Sequence, residues 1–217
     1  MDGRMRREDG GYTLLELLVA VAILGVIGAA AARVVSTTTE AYGTGQLATD
    51  VETRLGRTLD RIAWELRGCS PGVMLPTPAA PFSTSSLTYQ KPSGFVDGAT
   101  TWGTPCRIEF RLEAGELDDG ADDDGDGLVD EGDVVWVTNS GLPDESESVG
   151  CHGVSELLEG EEDNLADDNG NGLEDEAGLA FDFEGDVLTI RLTLQKRSPE
   201  GTLITRTGET SVKLRNP

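Results

Sequence analysis

The stretch that decides the fold is YTLLELLVAVAILGVIGAAAARVV, residues 12–35. From Leu14 to Ala32, every residue except Glu16 is hydrophobic or glycine. Coiled as a helix, the stretch is roughly 36 Å long at about 1.5 Å per residue. The hydrocarbon core of a bilayer is about 30 Å thick. The sequence therefore predicts one N-terminal helix that crosses a membrane.

Three kinds of N-terminal segment share this hydropathy: a plain transmembrane anchor, a secretory signal peptide and a prepilin leader with its helix. A signal peptide would use the small residues Ala29–Ala31 as its cleavage site. Glu16 favours the prepilin, because an acidic side chain in an apolar span costs a few kcal/mol and usually has a function. Upstream, Arg4, Arg6 and Arg7 favour a cytoplasmic N-terminus.

Residues 11–16, GYTLLE, resemble the processing site of type IV prepilins and pseudopilins. In that family, prepilin peptidase cuts after the glycine, here Gly11, and the new N-terminal residue, here Tyr12, is N-methylated. The glutamate at the fifth mature position corresponds to Glu16. Most members have phenylalanine where this chain has Tyr12. The resemblance implies a leader at residues 1–11, a transmembrane and assembly helix at 12–35, and prepilin peptidase as a partner.

The family resemblance also implies where the chain works. It places the chain in the bacterial inner membrane as a single-pass protein, with a periplasmic head that is assembled with other pilins or pseudopilins into a fibre. Major pilins carry a proline where this chain has Arg33, which favours a pseudopilin or minor pilin. Extreme tip subunits of secretion pseudopili typically lack the glutamate that Glu16 supplies. The ending SVKLRN, residues 211–216, is similar to that of J-type minor pseudopilins of type II secretion.

An amphipathic continuation of the helix is predicted at residues 36–69. Gly43 and Gly45 each cost about 1 kcal/mol of helix stability relative to alanine, so a bend or fraying is expected there. Gly68 and Pro71 are typical of a helix end. The stripe that should pack on a sheet recurs at helical spacing and consists of Leu47, Val51, Leu55, Leu59, Ile62 and Leu66.

The remaining residues, 70–217, predict a β-rich head, so the fold class is α+β, as in pilins. Residues 70–105 are rich in Pro, Ser, Thr and Gly and predict loops with one strand at Ser86–Gln90. Gly185-Asp186 predicts a hairpin turn. Further strands are indicated by apolar alternation or apolar runs at 108–112, 134–137, 179–183, 188–194 and 209–215.

The three cysteines, Cys69, Cys106 and Cys151, allow one disulfide and one free thiol. A periplasmic head favours one bridge over three reduced thiols. All three pairings are open, and Cys106 with Cys151 is preferred because both lie in predicted strands. His152, the single histidine, is expected to be a neutral surface side chain rather than a ligand.

Two acidic segments repeat at an offset of 45 residues: ADDDGDGLVDE at 121–131 and ADDNGNGLEDE at 166–176. Each begins like an EF-hand calcium loop, in which alternate side-chain oxygens converge and a glycine permits the turn. They are predicted as calcium-binding insertions at 116–133 and 161–178, the first binding more tightly because it carries more charge. The bidentate glutamate of an EF-hand is missing, since Asp133 and Gly178 stand there. The candidate ligands are Asp122, Asp124, Asp126, Asp130 and Glu131 in the first segment, and Asp167, Asn169, Asn171, Asp175 and Glu176 in the second.

Composition narrows the function. Half of the 40 acidic side chains lie at 116–133 and 156–176, and the net charge of −23 disfavours nucleic acid as a partner. No Ser/His/Asp or Cys/His arrangement indicates an enzyme. Two hypotheses stay open: a structural subunit of a secretion pseudopilus or related pilus, and a calcium-dependent adhesin displayed on a pilus. If the acidic segments bind no ion, they are solvated hairpin tips.

Overall fold

The computed structural model describes residues 12–77, 83–170, 172–184 and 187–214. It has one long apolar N-terminal helix followed by an antiparallel eight-stranded sheet, which confirms the predicted α+β, pilin-like class. The elements are helix α1 (Leu14–Leu66), a 3-10 turn (Pro71–Val73), and strands β1 (Ser83–Thr84), β2 (Ser86–Val96), β3 (Ala99–Leu112), β4 (Gly132–Thr138), β5 (Ser146–Val154), β6 (Leu179–Glu184), β7 (Val187–Arg197) and β8 (Leu203–Lys213).

A bend or fraying was expected at Gly43 and Gly45. Helix α1 is instead helical at both residues. Two compact units, Met1–Gly43 and Thr44–Pro217, divide at this point of the chain. In the first unit, the apolar side chains of the described residues are exposed. The helix is long and apolar enough to cross a membrane.

In the second unit, the last turns of α1 pack on one face of the sheet. Leu55 and Leu59 lie against Gly208 of β8, where there is little room for a larger residue. Ile62 and Leu66 are completely buried, and burying such a side chain stabilises the fold by about 1.5–3 kcal/mol. The buried helix residues are Val51, Leu55, Thr58, Leu59, Ile62, Ala63 and Leu66, which confirms the predicted stripe except for Leu47.

The sheet runs in the order β1-β6-β7-β5-β4-β3-β2, and β8 pairs with β7 along its length. The opposite edge of β7 is shared, because Val187–Leu192 pair with β6 and Leu194 pairs with Val154 of β5. Each acidic insertion connects two strands of this sheet. The first (116–133, the first acidic loop) joins β3 to β4, and the second (161–178, the second acidic loop) lies between β5 and β6.

A long hairpin of β2 and β3 occupies much of the region where loops were predicted. Only Ser86–Gln90 was expected as a strand, yet β2 extends to Val96 and β3 begins at Ala99. Residues 91–96 of β2 are exposed on both faces of the hairpin, so no apolar alternation marks this part of the strand in the sequence. The predicted turn at Gly185-Asp186 lies outside the described residues. Its neighbours Glu184 and Val187 are paired in the sheet.

Gly178, which closes the second acidic loop onto β6, is expected to tolerate no side chain. Its N–H donates to the Glu156 carbonyl at 2.8 Å, and its carbonyl accepts from the Thr193 N–H at 2.7 Å. A Cβ added here would overlap the carbonyl oxygen of Ser155. Gly178→Ala should therefore lower the free energy of unfolding by about 1–3 kcal/mol or more, measured by urea denaturation of the full chain in detergent.

The matched control for Gly178→Ala is Gly56→Ala. Gly56 lies in α1, and nothing surrounds the position of its missing Cβ. The alanine should raise the free energy of unfolding by up to about 1 kcal/mol through helix propensity. Equal effects of the two alanines would show that the close approach at Gly178 does not matter.

Candidate functional site

The N-terminus of α1 is closed by a reciprocal pair of hydrogen bonds. The backbone N–H and the hydroxyl of Thr13 donate to Glu16 Oε2 at 2.8 and 3.0 Å, and the Glu16 N–H donates to Thr13 Oγ1 at 3.2 Å. This is a capping box, in which two end groups of a helix satisfy each other. Thr13 was not singled out from the sequence, although a threonine three residues before a glutamate is the usual signal.

The capping box leaves the charge of Glu16 without an opposite charge. Its hydrogen-bond donors are neutral, and no cation pairs with it in the described part of the chain. Tyr12 is exposed, and Gly11 lies outside the described residues. A carboxylate at membrane depth is expensive unless a cation comes close, so a charged partner from outside the described chain would stabilise this end of α1.

Glu116 organises the first acidic loop. Its Oε1 accepts the N–H groups of Asp123 and Asp124 at 3.1 and 2.9 Å, and its Oε2 accepts the N–H of Asp130 at 3.3 Å. The residue is buried. Glu116 is not among the ligands predicted from the sequence, because the predicted repeat begins at Ala121.

The predicted EF-like positions one, three and five come together in the first acidic loop. Oxygens of Asp122, Asp124 and Asp126 lie within 4.8 Å of one another. Asp122 also accepts the N–H groups of Gly125 and Gly127 at 2.7 and 2.9 Å, which fixes the turn. All three aspartates are exposed, so an ion at this point would keep contact with solvent.

A second group of carboxylates meets at Asp124 from the buried side. Oxygens of Glu116, Asp124 and Glu131 also lie within 4.8 Å of one another. The side chain of Glu131 is completely buried, and neither of its oxygens has a hydrogen-bonding partner on another described residue. Burial, together with the negative charges of Asp126, Glu116 and Asp124, raises the pKa of Glu131 to about 7.

The carboxylates of the first acidic loop fit a metal ion. A buried carboxylate without a partner is costly, and a cation beside Glu116, Asp124 and Glu131 would supply the missing partner. These acidic groups could therefore hold a metal ion, with Asp122 and Asp126 on the exposed side. Asp133, at the EF-hand position twelve, belongs instead to a separate group with Glu113 and His152, and its Oδ1 lies 2.7 Å from His152 Nδ1. His152 is exposed, as expected.

The second acidic loop repeats the same hydrogen bonds. Glu161 accepts the N–H groups of Asn169 and Asp175, each at 3.2 Å, as Glu116 does in the first loop. Asp167 accepts from Gly170 and Gly172 at 2.6 and 2.8 Å, as Asp122 does from its own glycines. The two segments therefore resemble each other in structure as well as in sequence.

Asp130 and its counterpart Asp175 face backbone N–H groups. Asp130 accepts from Asp119 and Gly120 at 3.2 and 2.7 Å, and Asp175 accepts from Asn164 and Leu165 at 3.2 and 2.8 Å. Asp130 also lies in a third acidic group with Asp118 and Glu156. Both aspartates close their loops. Asn171, the remaining predicted ligand, is outside the described residues.

The sheet register separates Cys106 from Cys151. On the two sides of β4, Cys106 lies opposite Thr138 and Cys151 opposite Val134. The intervening strand and the offset along it put the two Cα atoms well beyond the about 7 Å that a disulfide can bridge. The preferred Cys106–Cys151 pairing does not fit this sheet, and all three thiols are free. Cys106 instead packs against the core cluster that includes Cys69.

The metal-free chain is expected to lose stability as the pH rises from about 5 to about 8. The pKa of Glu131 is about 7 in the folded chain, against an ordinary value of 4.5. A raised carboxyl pKa contributes stability that is complete below pH 4.5 and is lost as the pH rises through about 7. Urea unfolding in EDTA across this range should show the decline.

Glu131→Gln is the control for this pH dependence. The amide does not titrate, so this variant should lose less stability than the wild type over the same pH range. Superimposable pH profiles for the two proteins would contradict the assignment to Glu131.

Comparison with known proteins identifies the N-terminal segment. Residues 6–32 match the family described as the prokaryotic N-terminal methylation motif. No curated protein and no solved structure matches the chain. The match supports a type IV pilin-like prepilin, a family whose members are structural rather than catalytic and are processed by prepilin peptidase and assembled with other pilins. Together with the apolar helix, it indicates a membrane-anchored, single-pass protein.

Proposed function

We propose that this chain is a minor pilin-like subunit that acts in fibre assembly and protein export, as a minor pseudopilin of type II secretion or its equivalent in a related type IV pilus machine. The observation that carries the proposal is the methylation motif at residues 6–32 at the start of an apolar helix, with Glu16 in its first turn. A head built on an antiparallel sheet follows, as a pilin-like subunit requires.

Processing explains why Glu16 stands where it does. Prepilin peptidase cuts after Gly11 and leaves a methylated amine at Tyr12. In the fibre, the Glu16 carboxylate of one subunit pairs with the Tyr12 amine of its neighbour. Each charge alone is expensive in lipid, and together they are tolerated. The pair sets the axial position of an incoming subunit.

The topology follows from the same segment. The arginines at positions 4, 6 and 7 hold the leader in the cytoplasm. Helix α1 then crosses the inner membrane, and the head with both acidic loops lies in the periplasm.

The test of this function is recovery of the chain in the fibre. An epitope-tagged chain is expressed in its own host with the other subunits overproduced, and fibres are sheared and purified. The tagged chain should appear in the fibre fraction and disappear from it when prepilin peptidase is deleted. A chain that stays in the membrane fraction in both strains contradicts the proposal.

We also propose that the ion of the first acidic loop is Ca²⁺ and that its role is structural. The candidate ligands are all carboxylates, and hard oxygen donors in this number suit Ca²⁺ better than a transition metal. A periplasmic head would meet free Ca²⁺. The ion relieves the repulsion between Glu116, Asp124 and Glu131 and ties the insertion to the start of β4.

A further inference from the structure

The two acidic loops differ at one decisive contact. In the first, the buried carboxylate of Glu131 has no partner on another described residue. In the second, the corresponding residue is Glu176, whose side chain is also completely buried. Glu176 Oε1 lies 3.5 Å from Nη1 of Arg191, and its Oε2 accepts from Asn169 Nδ2 at 3.3 Å.

Arg191 is held in place by other carboxylates. It lies on β7 opposite Ala180, and its guanidinium contacts Asp182 and lies 3.5 Å from Glu209 Oε2. An arginine cannot lose its charge in a protein. The second loop therefore carries a permanent cation at the buried carboxylate that follows its turn.

Among the described residues, none supplies such a cation to the first acidic loop. In the second loop, Arg191 is the strand partner of Ala180. The residue that corresponds to Ala180 in the first repeat, 45 positions earlier, is Val135, and its partner in the following strand is an uncharged residue, Val149. In the described part of the chain, no lysine or arginine forms an ion pair with Glu116, Asp124 or Glu131. The guanidinium of Arg197, which contacts this loop, donates to the Gly127 carbonyl.

A second difference acts in the same direction. The shared residue of the two carboxylate groups in the first loop, Asp124, corresponds to Asn169 in the second. The amide removes one negative charge, and its Nδ2 donates to Glu176. A donor at this point occupies an oxygen that a metal ion would need.

We infer that Arg191 and Asn169 replace the metal ion in the second acidic loop, so that the chain binds one divalent cation, in the first loop only. This inference rests on the proposed calcium site and adds which of the two repeats is loaded. Two similar insertions are thus ordered by different cations. In the first loop the cation is an exchangeable metal ion, and in the second it is the guanidinium of Arg191 on β7. The head would respond to the free Ca²⁺ concentration through residues 116–133 alone.

The test is a count of bound Ca²⁺ by equilibrium dialysis of the full chain in detergent, with calcium chloride as the only added ligand. The wild type should bind one ion per chain. Glu131→Gln should weaken that binding by about 10- to 100-fold, the usual cost of disturbing a metal site. Glu176→Gln, the matched change in the other repeat, should leave it within about twofold. Circular dichroism checks that each variant is folded.

A gain of binding completes the test. The double variant Asn169→Asp with Arg191→Gln restores the charge and removes the guanidinium, and it should bind a second ion. If it does not fold, the contrast between Glu131→Gln and Glu176→Gln still decides. Two ions in the wild type, or equal losses in the two glutamine variants, would overturn the inference while calcium binding stands. A wild type that binds no calcium overturns the calcium proposal as well.

Discussion

Replacing Glu16 with glutamine is expected to remove the chain from the assembled fibre while its processing continues. Glutamine keeps the capping box with Thr13, because an amide oxygen accepts the same two hydrogen bonds. It removes the negative charge that the Tyr12 amine of a neighbour would meet. Incorporation into sheared fibres should fall at least about tenfold, which corresponds to roughly 1.4 kcal/mol of lost pairing.

Thr13→Val is the matched variant, because it separates helix capping from charge pairing. It removes the Thr13 hydroxyl, which donates to the Glu16 carboxylate and accepts from the Glu16 N–H. The carboxylate stays charged. This variant should still enter the fibre. If Glu16→Gln assembles like the wild type and Thr13→Val does not, the role of Glu16 is to cap the helix, and the pairing with Tyr12 must be given up.

Removing divalent cations is expected to lower the thermal midpoint of the head by roughly 5–10 °C. An ion that binds only the folded state, present at about 100 times its dissociation constant, stabilises that state by about 2.7 kcal/mol. For a chain of this size, each kcal/mol shifts the midpoint by about 2–4 °C. Thermal unfolding of the full chain, followed by circular dichroism in EDTA and then in excess calcium chloride, measures the shift.

Glu131→Gln supplies the control for chelation. Its midpoint should rise less in calcium than the wild-type midpoint does, because the loss of the buried carboxylate weakens the binding of the ion. Magnesium should replace calcium poorly, since it prefers strict octahedral geometry and gives up its waters reluctantly. A wild-type midpoint that is the same in EDTA and in calcium would contradict a structural ion in the first acidic loop.

The features that the sequence predicts well are local. The apolar span and the stripe from Val51 to Leu66 follow the helical period, and the structure has one helix across both. Strands β4, β6 and β7 were predicted because their residues alternate between a buried and a less buried face or form a short apolar run. In each case the physical signal lies within a dozen neighbouring residues.

The features that the sequence does not predict depend on distant partners. Residues 91–96 of β2 are exposed on both faces of the β2–β3 hairpin, so no hydrophobic period marks them. Pro92 lies in β2, at an edge of the sheet, where a missing N–H does little harm. The preferred pairing of Cys106 with Cys151 rested on both lying in predicted strands. The sequence does not predict that β4 lies between those two strands in the sheet.

The acidic site was only partly visible in the sequence. The EF-like spacing indicated Asp122, Asp124 and Asp126, which the structure brings together. Glu116 was missed, although Gly115-Glu116 and Gly160-Glu161 extend the same repeat upstream and could have revealed it. The contact of Arg191 with Glu176 joins two elements through the sheet register, and no spacing in the sequence predicts it.

The most direct test of the central claim is the intact mass and N-terminal sequence of the chain purified from its native membrane. A pilin-like subunit should begin at Tyr12 and carry one added methyl group on its amine. A chain that begins after Ala31 or Ala32 would be an ordinary secreted protein, and one that keeps Met1 would be a plain membrane anchor. Either of these two results would contradict processing by prepilin peptidase and, with it, assembly into a fibre.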